Sequence, residues 1–253
     1  MGKVYLVGAG PGAPDLLTLR AARILASADI VLHDALVHPD TLKLAAKARF
    51  IDVGKRYGKV STEQRFIHRA LIEAARAHEV VVRLKGGDPM MFGRAQEELD
   101  ALAAAGIETE VVPGVTAALA AASTLKVSLT RRGIARTVSF LTPRVGIGES
   151  ASAWLPSALA ADTVILYMAA GAGPEIARTL IAGKKPPSTP VVLVESATLE
   201  SERRTFTTLE SLVQSEATRA EGPVVVCVGE VFREAAAELQ IESLPQVAMN
   251  EHR

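Results

Sequence analysis

The segment Glu79-Val80-Val81-Val82-Arg83-Leu84-Lys85-Gly86-Gly87-Asp88-Pro89-Met90-Met91-Phe92-Gly93-Arg94 decides the fold. Its first six residues form an apolar run typical of a strand, and a helical pattern begins near Ala95. Open α/β sheets bind their ligands at this carboxyl end of a strand. The two glycines allow a close backbone approach to a ligand or a positive φ, and Pro89 ends regular structure. Because the Asp88 carboxylate would repel a phosphate, the loop is predicted to bind a cation, an amine or a ribose hydroxyl.

Strand-like runs alternate with helical patterns along the chain. In the N-terminal part, strands are predicted near 3–8, 29–33, 49–53, 79–84 and 107–112, with helices near 15–27, 39–47, 62–77 and 93–105. A helix near 114–124 then precedes strands near 136–141, 162–167, 190–195, 203–207 and 223–228, with helices near 152–160, 173–182, 208–215 and 231–239. Helical crossovers predict a mostly parallel first sheet, and direct strand-to-strand steps around 190–207 predict a mixed second one.

The chain is predicted to form two α/β domains with a ligand cleft between them. The strand that ends at Val112 is followed by two breakers, Pro113 and Gly114, which places the boundary there. The N-terminal domain then covers 1–113, the C-terminal domain 114–241, and residues 242–253 form a short tail. A chain of 253 residues is long enough to bury two such cores.

Composition excludes several classes of function. The 28 Lys and Arg balance the 28 Asp and Glu, so no overall charge favours nucleic acid or an acidic membrane. We expect a cytoplasmic protein, because the start lacks a secretory apolar segment and no apolar run is long enough to span a bilayer. The one cysteine, Cys227, lies in an apolar strand pattern and is predicted to be a core residue. No histidine pair has metal-ligand spacing backed by a third ligand, so no metal is predicted.

A glycine loop follows the first strand, at Gly8-Ala9-Gly10-Pro11-Gly12-Ala13-Pro14. Together with Asp34 after the second strand, it matches the dinucleotide-binding pattern of oxidoreductases. That pattern requires the loop to run straight into a helix whose N–H groups bind the pyrophosphate. Here two prolines interrupt the loop, and Asp15 is the expected N-cap, which puts a carboxylate where a phosphate would bind. A nicotinamide or flavin oxidoreductase is therefore disfavoured.

Read together, the two glycine loops resemble those of the uroporphyrinogen-III C-methyltransferases, in the tetrapyrrole methyltransferase superfamily. Matching segments recur in family order and extend the resemblance over about residues 3 to 240; they are 28–37, 53–56, 112–118, 129–132 and 166–168. The resemblance implies an enzyme that methylates uroporphyrinogen III at two ring positions with S-adenosyl-L-methionine, giving precorrin-2 and S-adenosyl-L-homocysteine. It also implies a homodimer whose product enters siroheme or cobalamin synthesis.

The resemblance further implies which residues form the site. Backbone groups and small or apolar side chains would contact the cofactor at Pro11, Gly86, Gly87, Asp88, Met91, Thr116, Ala117, Met168 and Ala197. Asp34 would accept the proton that the macrocycle loses, and Lys55 would donate one. Planar, bidentate arginines suit the eight carboxylates of the substrate. The candidates in the matching loops are Arg56, Arg94, Arg131 and Arg132, with Arg136 as a further one.

Other interpretations stay open at this point. From the residues alone, Asp34 also fits a cap on the helix that follows it, and Lys55 fits a solvated loop lysine. The chain departs from the family pattern at His68, Met90, Ala95, Arg131 and Pro143-Arg144, of which the last two lie on the expected substrate side. The alternatives are a relative that acts on a later precorrin or on a modified protein residue, and a non-catalytic protein that binds S-adenosylmethionine or a tetrapyrrole. Retention of both Asp34 and Lys55 favours an enzyme.

Overall fold

The computed structural model describes residues 1–54, 64–145, 153–215 and 220–242. The chain divides into two compact units: the first contains Met1–Ala120 and Ala197–Glu200, and the second contains Ala121–Ser196 and the chain from Ser201 onward. The predicted domain limits and the predicted ligand cleft stay predictions. Of the predicted tail, only residue 242 lies within the described residues.

Parallel strands form the sheet of the first unit. They are β1 (Lys3–Gly8), β2 (Ile30–His33), β3 (Arg49–Asp52), β4 (Val80–Lys85) and β5 (Thr109–Val112). Among the described residues the sheet has five strands in the order β3-β2-β4-β1-β5, all paired in parallel. The helices that join them are α1 (Leu19–Ser27), α2 (Pro39–Leu42), α3 (Gln64–Ala77) and α4 (Ala95–Ala104), and α5 (Ala117–Thr124) follows β5.

Both faces of this sheet are covered, which explains the unbroken apolar run of β4. Val81 belongs to a core that includes residues of α3 and α4, whereas Val82 belongs to a second core that includes residues of α1. Successive side chains of a strand point to opposite faces, so Arg83 and Lys85 share the face of Val81. Both are buried although they are charged. The parallel sheet that the sequence predicted for the N-terminal part is confirmed.

The helix after the first glycine loop begins later than predicted. Pro14–Leu16 form a 3-10 turn, and α1 begins at Leu19 with Thr18 as its N-cap. The Thr18 hydroxyl oxygen accepts the N–H of Ala21 at 3.1 Å, which satisfies one of the free donors of the first turn. The prediction that Asp15 caps this helix is therefore wrong, because Asp15 lies in the 3-10 turn. That turn separates the glycine loop from α1, which differs from the dinucleotide-binding arrangement.

The second unit contains a mixed sheet. Its strands are β6 (Val138–Leu141), β7 (Thr163–Leu166), β8 (Pro190–Glu195), β9 (Arg203–Thr208) and β10 (Val224–Val228). Among the described residues their order is β6-β7-β10-β8-β9; β6 and β7 pair in parallel and the other pairs are antiparallel. The helices are α6 (Trp154–Ala160), α7 (Gly173–Ala182), α8 (Leu209–Gln214) and α9 (Arg233–Glu242). The mixed sheet, and with it the predicted fold class of two α/β domains, is confirmed.

The cysteine is buried within the second unit. Helices α6, α7 and α8 pack on a core that includes Val226 and Val228 of β10. Cys227, between these two residues, is fully buried, and burial raises the pKa of its thiol to about 12. The prediction that Cys227 is a core residue is confirmed. In the described ranges, no helix combines the length and the apolar character needed to cross a membrane.

Candidate functional site

Three loops of the first unit meet at the carboxyl ends of β1, β4 and β5. The N–H of Gly87 donates to the carbonyl oxygen of Gly10 at 2.7 Å, and the N–H of Gly10 donates to the carbonyl oxygen of Gly87 at 3.2 Å. A Cβ at Gly8 would lie 2.6 Å from the Cα of Gly114 and 2.7 Å from the carbonyl oxygen of Gly87. Only glycine leaves room for this backbone approach. The sequence singled out Gly86 and Gly87 as site residues but did not include Gly114 among them.

Asp88 links two of these loops. Its Oδ1 accepts the N–H of Met90 at 2.8 Å, and its Oδ2 accepts the N–H of Gly114 at 2.9 Å. The loop after β4 is thereby held against the loop after β5. Each carboxylate oxygen has a further lone pair for a ligand donor. A contact of Asp88 with a cofactor stays a prediction, and the half-buried side chain is compatible with one.

Asp34 lies beside the glycine pair at the carboxyl end of β2. Its Oδ1 accepts the N–H of Leu36 at 3.1 Å, and its Oδ2 accepts the N–H of Gly86 at 3.3 Å. The following helix, α2, is capped by His38, whose Nδ1 accepts the N–H of Asp40 at 3.3 Å. The alternative in which Asp34 caps the next helix is therefore wrong. The half-buried Asp34 carboxylate keeps lone pairs with which it could accept a proton.

The remaining predicted cofactor residues of the first unit lie around the same loops. Gly87 has a φ of +69°, and a Cβ built on it would lie 3.9 Å from the Cα of Thr116. Thr116 is buried, and its carbonyl oxygen accepts the N–H of Leu119 in the first turn of α5, which begins at Ala117. The N–H of Met91 donates to the carbonyl oxygen of Asp88 at 3.2 Å. The structure therefore groups residues that are distant in sequence at one edge of the sheet.

Ala197 joins this group although it follows β8 in sequence. The segment Ala197–Glu200 belongs to the first unit. A Cβ at Gly12 would lie 3.3 Å from the carbonyl oxygen of Ala197, so this residue lies against the loop that contains Pro11. Met168 is the exception among the predicted cofactor residues, because it belongs to the second unit, where 45% of it is exposed.

The predicted substrate arginines differ in their partners. Arg94 forms a bidentate pair with Glu97, with Nε–Oε1 and Nη2–Oε2 distances of 2.6 and 2.7 Å, and its hydrogen bonds lower the pKa of Glu97. Arg131 contacts Glu234 at 2.7 Å, and this hydrogen bond raises the pKa of Arg131. Both pairs are at least two-fifths exposed and are therefore weak enough to exchange partners.

Two further predicted arginines are exposed, and two predicted site residues lie outside the described residues. Arg132 is exposed, and its guanidinium has no partner among the described residues. Arg136 is also exposed, and its N–H donates to Asp162 at 2.8 Å. The predicted proton donor Lys55 and the predicted substrate residue Arg56 lie outside the described residues.

A buried charge cluster underlies the loop, and the sequence interpretation missed it. Arg83, Lys85 and Glu98 are 3%, 4% and 1% exposed. The Lys85 Nζ lies 3.1 Å from both oxygens of Glu98, and the Arg83 Nε lies 3.1 Å from its Oε1. Burial, together with repulsion from Arg83, lowers the pKa of Lys85 against the opposing attraction of Glu98 and Asp34. The available signal was two cations at alternate positions of an apolar strand.

The Lys85 side chain also limits which residue fits at position 93 of the loop. A Cβ at Gly93 would lie 3.1 Å from the Cε of Lys85 and 2.7 Å from the carbonyl oxygen of Pro89. The cluster therefore lies directly beneath the turn from Gly86 to Gly93. In the described part of the chain, no group of three His, Cys, Asp or Glu side chains is placed to hold a metal ion. The absence of a metal stays a prediction.

The similarity to known proteins extends over nearly the whole chain. The family model of the tetrapyrrole (corrin/porphyrin) methylases matches residues 3–213. A uroporphyrinogen-III C-methyltransferase of Pseudomonas aeruginosa is 43% identical over 238 residues, which cover 94% of this chain and 97% of that protein. A siroheme synthase of Pseudomonas aeruginosa is also 43% identical, over 92% of this chain, which spans only 50% of that longer protein. The crystal structure of the uroporphyrin-III C-methyl transferase of Thermus thermophilus, complexed with S-adenyl homocysteine, superposes with a TM-score of 0.82 at 41% identity, covering 92% of this chain and 100% of that one.

Proposed function

The chain belongs to the tetrapyrrole (corrin/porphyrin) methylases, and from this membership we propose that it is a methyltransferase that uses S-adenosyl-L-methionine to methylate uroporphyrinogen III. Two successive transfers to ring carbons give precorrin-2 and two molecules of S-adenosyl-L-homocysteine. The similarity to a uroporphyrinogen-III C-methyltransferase over 97% of that protein's length supports this substrate over a later precorrin. The T. thermophilus relative crystallised with S-adenyl homocysteine supports the cofactor.

The position of Asp34 is the observation that carries the proposed chemistry. In each transfer, a ring carbon forms a bond to the methyl group while the sulfur–methyl bond breaks, and its electron pair stays on sulfur. The macrocycle then loses a proton, and a nearby carboxylate is a suitable base. Asp34 contacts the N–H of Gly86 at 3.3 Å. This places the carboxylate next to the loop that we assign to the sulfonium cofactor. Because the sulfonium is already reactive, alignment and proton handling are what the protein supplies.

We assign the cofactor to backbone groups and small side chains at Pro11, Gly86, Gly87, Asp88, Met91, Thr116, Ala117, Met168 and Ala197. The support is the close approach of the loops after β1, β4 and β5, where glycines expose the backbone. A folded cofactor needs such backbone donors and acceptors. Met168 is assigned on the family resemblance alone.

We assign the substrate carboxylates to Arg56, Arg94, Arg131 and Arg132, and proton donation to Lys55. Arg132 is exposed without a partner among the described residues. The surface ion pairs of Arg94 and Arg131 contribute little stability, so each arginine can exchange its glutamate partner for a substrate carboxylate at small cost. We further propose a cytoplasmic homodimer with domains 1–113 and 114–241, whose product enters siroheme or cobalamin synthesis. The siroheme synthase relative, half of which this chain spans, supports the siroheme branch.

Incubation of the protein with S-adenosyl-L-methionine and uroporphyrinogen III, followed by mass spectrometry, tests the proposal. We expect a tetrapyrrole that has gained two methyl groups and two molecules of S-adenosyl-L-homocysteine for each macrocycle. The P. aeruginosa relative serves as the positive control. Methylation of precorrin-2 without methylation of uroporphyrinogen III would assign the protein to a later step. Binding of S-adenosyl-L-homocysteine without turnover of either tetrapyrrole would leave the non-catalytic binding protein as the better interpretation.

A further inference from the structure

Thr198 adopts a backbone conformation that threonine rarely adopts. Its φ is +72°, in the left-handed region where a β-branched residue is an outlier. Ser196, two residues earlier, also has a positive φ, of +52°. Such conformations persist only where the surrounding structure fixes them, and they concentrate at functional sites. Glycine would adopt this φ without strain. The conformation alone therefore gives no reason for a threonine at this position, whereas its hydroxyl group does.

The Thr198 hydroxyl holds the first glycine loop. Its Oγ1 accepts the N–H of Ala13 at 3.1 Å, across 185 residues of sequence. The residues on both sides of Thr198 contact the same loop. A Cβ at Gly12 would lie 2.8 Å from the Cγ of Leu199 and 3.3 Å from the carbonyl oxygen of Ala197. Three consecutive residues of the segment 197–200 thus meet the loop, all within the first unit.

Both ends of this hydrogen bond adjoin proposed cofactor residues. Ala197 directly precedes Thr198, and Pro11 lies two residues before Ala13. On its other side, the loop is fixed by the hydrogen bonds between Gly10 and Gly87. Pro11 is therefore held between two attachments, of which one is to the glycine pair after β4 and the other is to Thr198. Loss of either attachment would let the loop move relative to the cofactor.

We propose that Thr198 is a positioning residue for the sulfonium cofactor: its hydroxyl fixes Ala13, and so holds Pro11 and Ala197 at the separation that the cofactor requires. The inference rests on the proposed function, because Pro11 and Ala197 are assigned to the cofactor there. It concerns the affinity for S-adenosyl-L-methionine and its product, not the tetrapyrrole. The backbone strain at Thr198 is retained because the strained conformation aims the hydroxyl at the Ala13 amide.

Three substitutions at Thr198 separate the effect of the hydroxyl group from the effects of side-chain shape and backbone strain. Thr198→Val keeps the branched shape and removes the acceptor; Thr198→Ser keeps the acceptor; Thr198→Gly removes both the acceptor and the strain. We expect Thr198→Val and Thr198→Gly to bind S-adenosyl-L-homocysteine about tenfold more weakly, as loss of one hydrogen bond implies. Thr198→Ser should stay within about twofold of the wild type, since the hydrogen bond is kept. Thr205→Val, an exposed threonine of β9, is the matched control and should leave the affinity unchanged.

Calorimetry with S-adenosyl-L-homocysteine, steady-state kinetics and amide exchange at Ala13 provide the readouts. In Thr198→Val the KM for S-adenosyl-L-methionine should rise, while kcat at saturating cofactor and the KM for uroporphyrinogen III stay near the wild-type values. Exchange of the Ala13 amide should quicken in Thr198→Val but not in Thr198→Ser, with or without cofactor.

Two outcomes overturn the inference while the proposed function stands: wild-type affinity in Thr198→Val, or an equal loss of affinity in Thr198→Ser. If the loss of cofactor affinity parallels a fall in the unfolding temperature of the variants, and the KM values for both substrates rise, Thr198 has a merely structural role. Failure of the wild-type protein to bind S-adenosyl-L-homocysteine would instead overturn the proposed function, and this inference with it.

Discussion

The Lys85 ammonium nitrogen lies 3.1 Å from both carboxylate oxygens of Glu98, and both residues are buried within the first unit. Arg83 contacts the same carboxylate, so the cluster contains two positive charges and one negative charge. Burying such charges costs free energy because they lose their contacts with water. Removing one partner destabilises the fold strongly, because the remaining charge stays buried without compensation. The cluster fixes the end of β4, from which the Gly86–Gly87 turn continues.

Glu98→Gln is expected to lower the free energy of unfolding by about 3–5 kcal/mol, because two buried cations lose their counter-charge. Urea unfolding followed by circular dichroism measures this difference. Glu97→Gln on the same helix is the matched control, since Glu97 forms an exposed pair with Arg94 and its loss should cost about 0–1 kcal/mol. Equal effects of the two substitutions would contradict the role that we give to the buried cluster.

Asp88→Asn is expected to weaken both the fold and the cofactor site. An asparagine cannot accept both the Met90 and the Gly114 N–H groups, and the loss of a hydrogen bond to a charged group costs about 1.5–3 kcal/mol. Asp29→Asn is the control: Asp29 Oδ2 accepts the N–H groups of Glu79 and Val80, where β4 begins. Both variants should unfold at lower urea concentration, and only Asp88→Asn should weaken binding of S-adenosyl-L-homocysteine in calorimetry. Equal affinities in the two variants would make Asp88 a structural residue alone.

Sequence reasoning succeeded where the signal is local. The run before Gly86 predicted a strand, and Asp34 and Gly86 were each predicted to lie at the carboxyl end of a strand, where open α/β sheets bind ligands. It failed where two local signals compete. Asp15 and Thr18 are both good N-cap residues, and the 3-10 turn that begins at Pro14 moves the start of α1 to the second of them.

Contacts between distant residues account for the rest of what was missed. Lys85 and Glu98 are 13 residues apart and meet only because the crossover helix α4 packs on the sheet. Thr198 and Ala13 are separated by 185 residues, and no periodicity connects them. The pair of Arg131 with Glu234 likewise spans 103 residues. Pattern reasoning identifies which residues lie at a strand end, but the partner of each side chain depends on the tertiary structure.

The stability of the protein should depend on the Cys227 thiol at high pH. Burial raises the pKa of this thiol from 9.0 to about 12, so the folded protein keeps a proton that the unfolded chain loses. This contribution to stability is complete below pH 9.0 and is lost as the pH rises through about 12. Between pH 8 and pH 10, the wild type should lose about 1.4 kcal/mol more free energy of unfolding than Cys227→Ala does. Urea unfolding at both pH values measures this, and equal losses in the two proteins would contradict burial of the thiol.

Asp34→Asn is expected to lower kcat by about 10²- to 10⁴-fold, the usual contribution of a positioned base. Asparagine has nearly the same size and keeps an oxygen acceptor for one of the two N–H groups of Leu36 and Gly86, so affinity for S-adenosyl-L-homocysteine should fall far less than kcat. Single-turnover methylation and calorimetry separate the two quantities. The matched control is Asp29→Asn directly before β2, at the opposite end of the strand from Asp34, where the carboxylate accepts the N–H groups of Glu79 and Val80 at 3.0 and 2.8 Å, and its kcat should stay near that of the wild type. A loss of cofactor affinity in Asp34→Asn as large as the loss of kcat would make Asp34 a binding residue, and the proton acceptor would have to be sought elsewhere at the edge formed by Gly86 and Gly87.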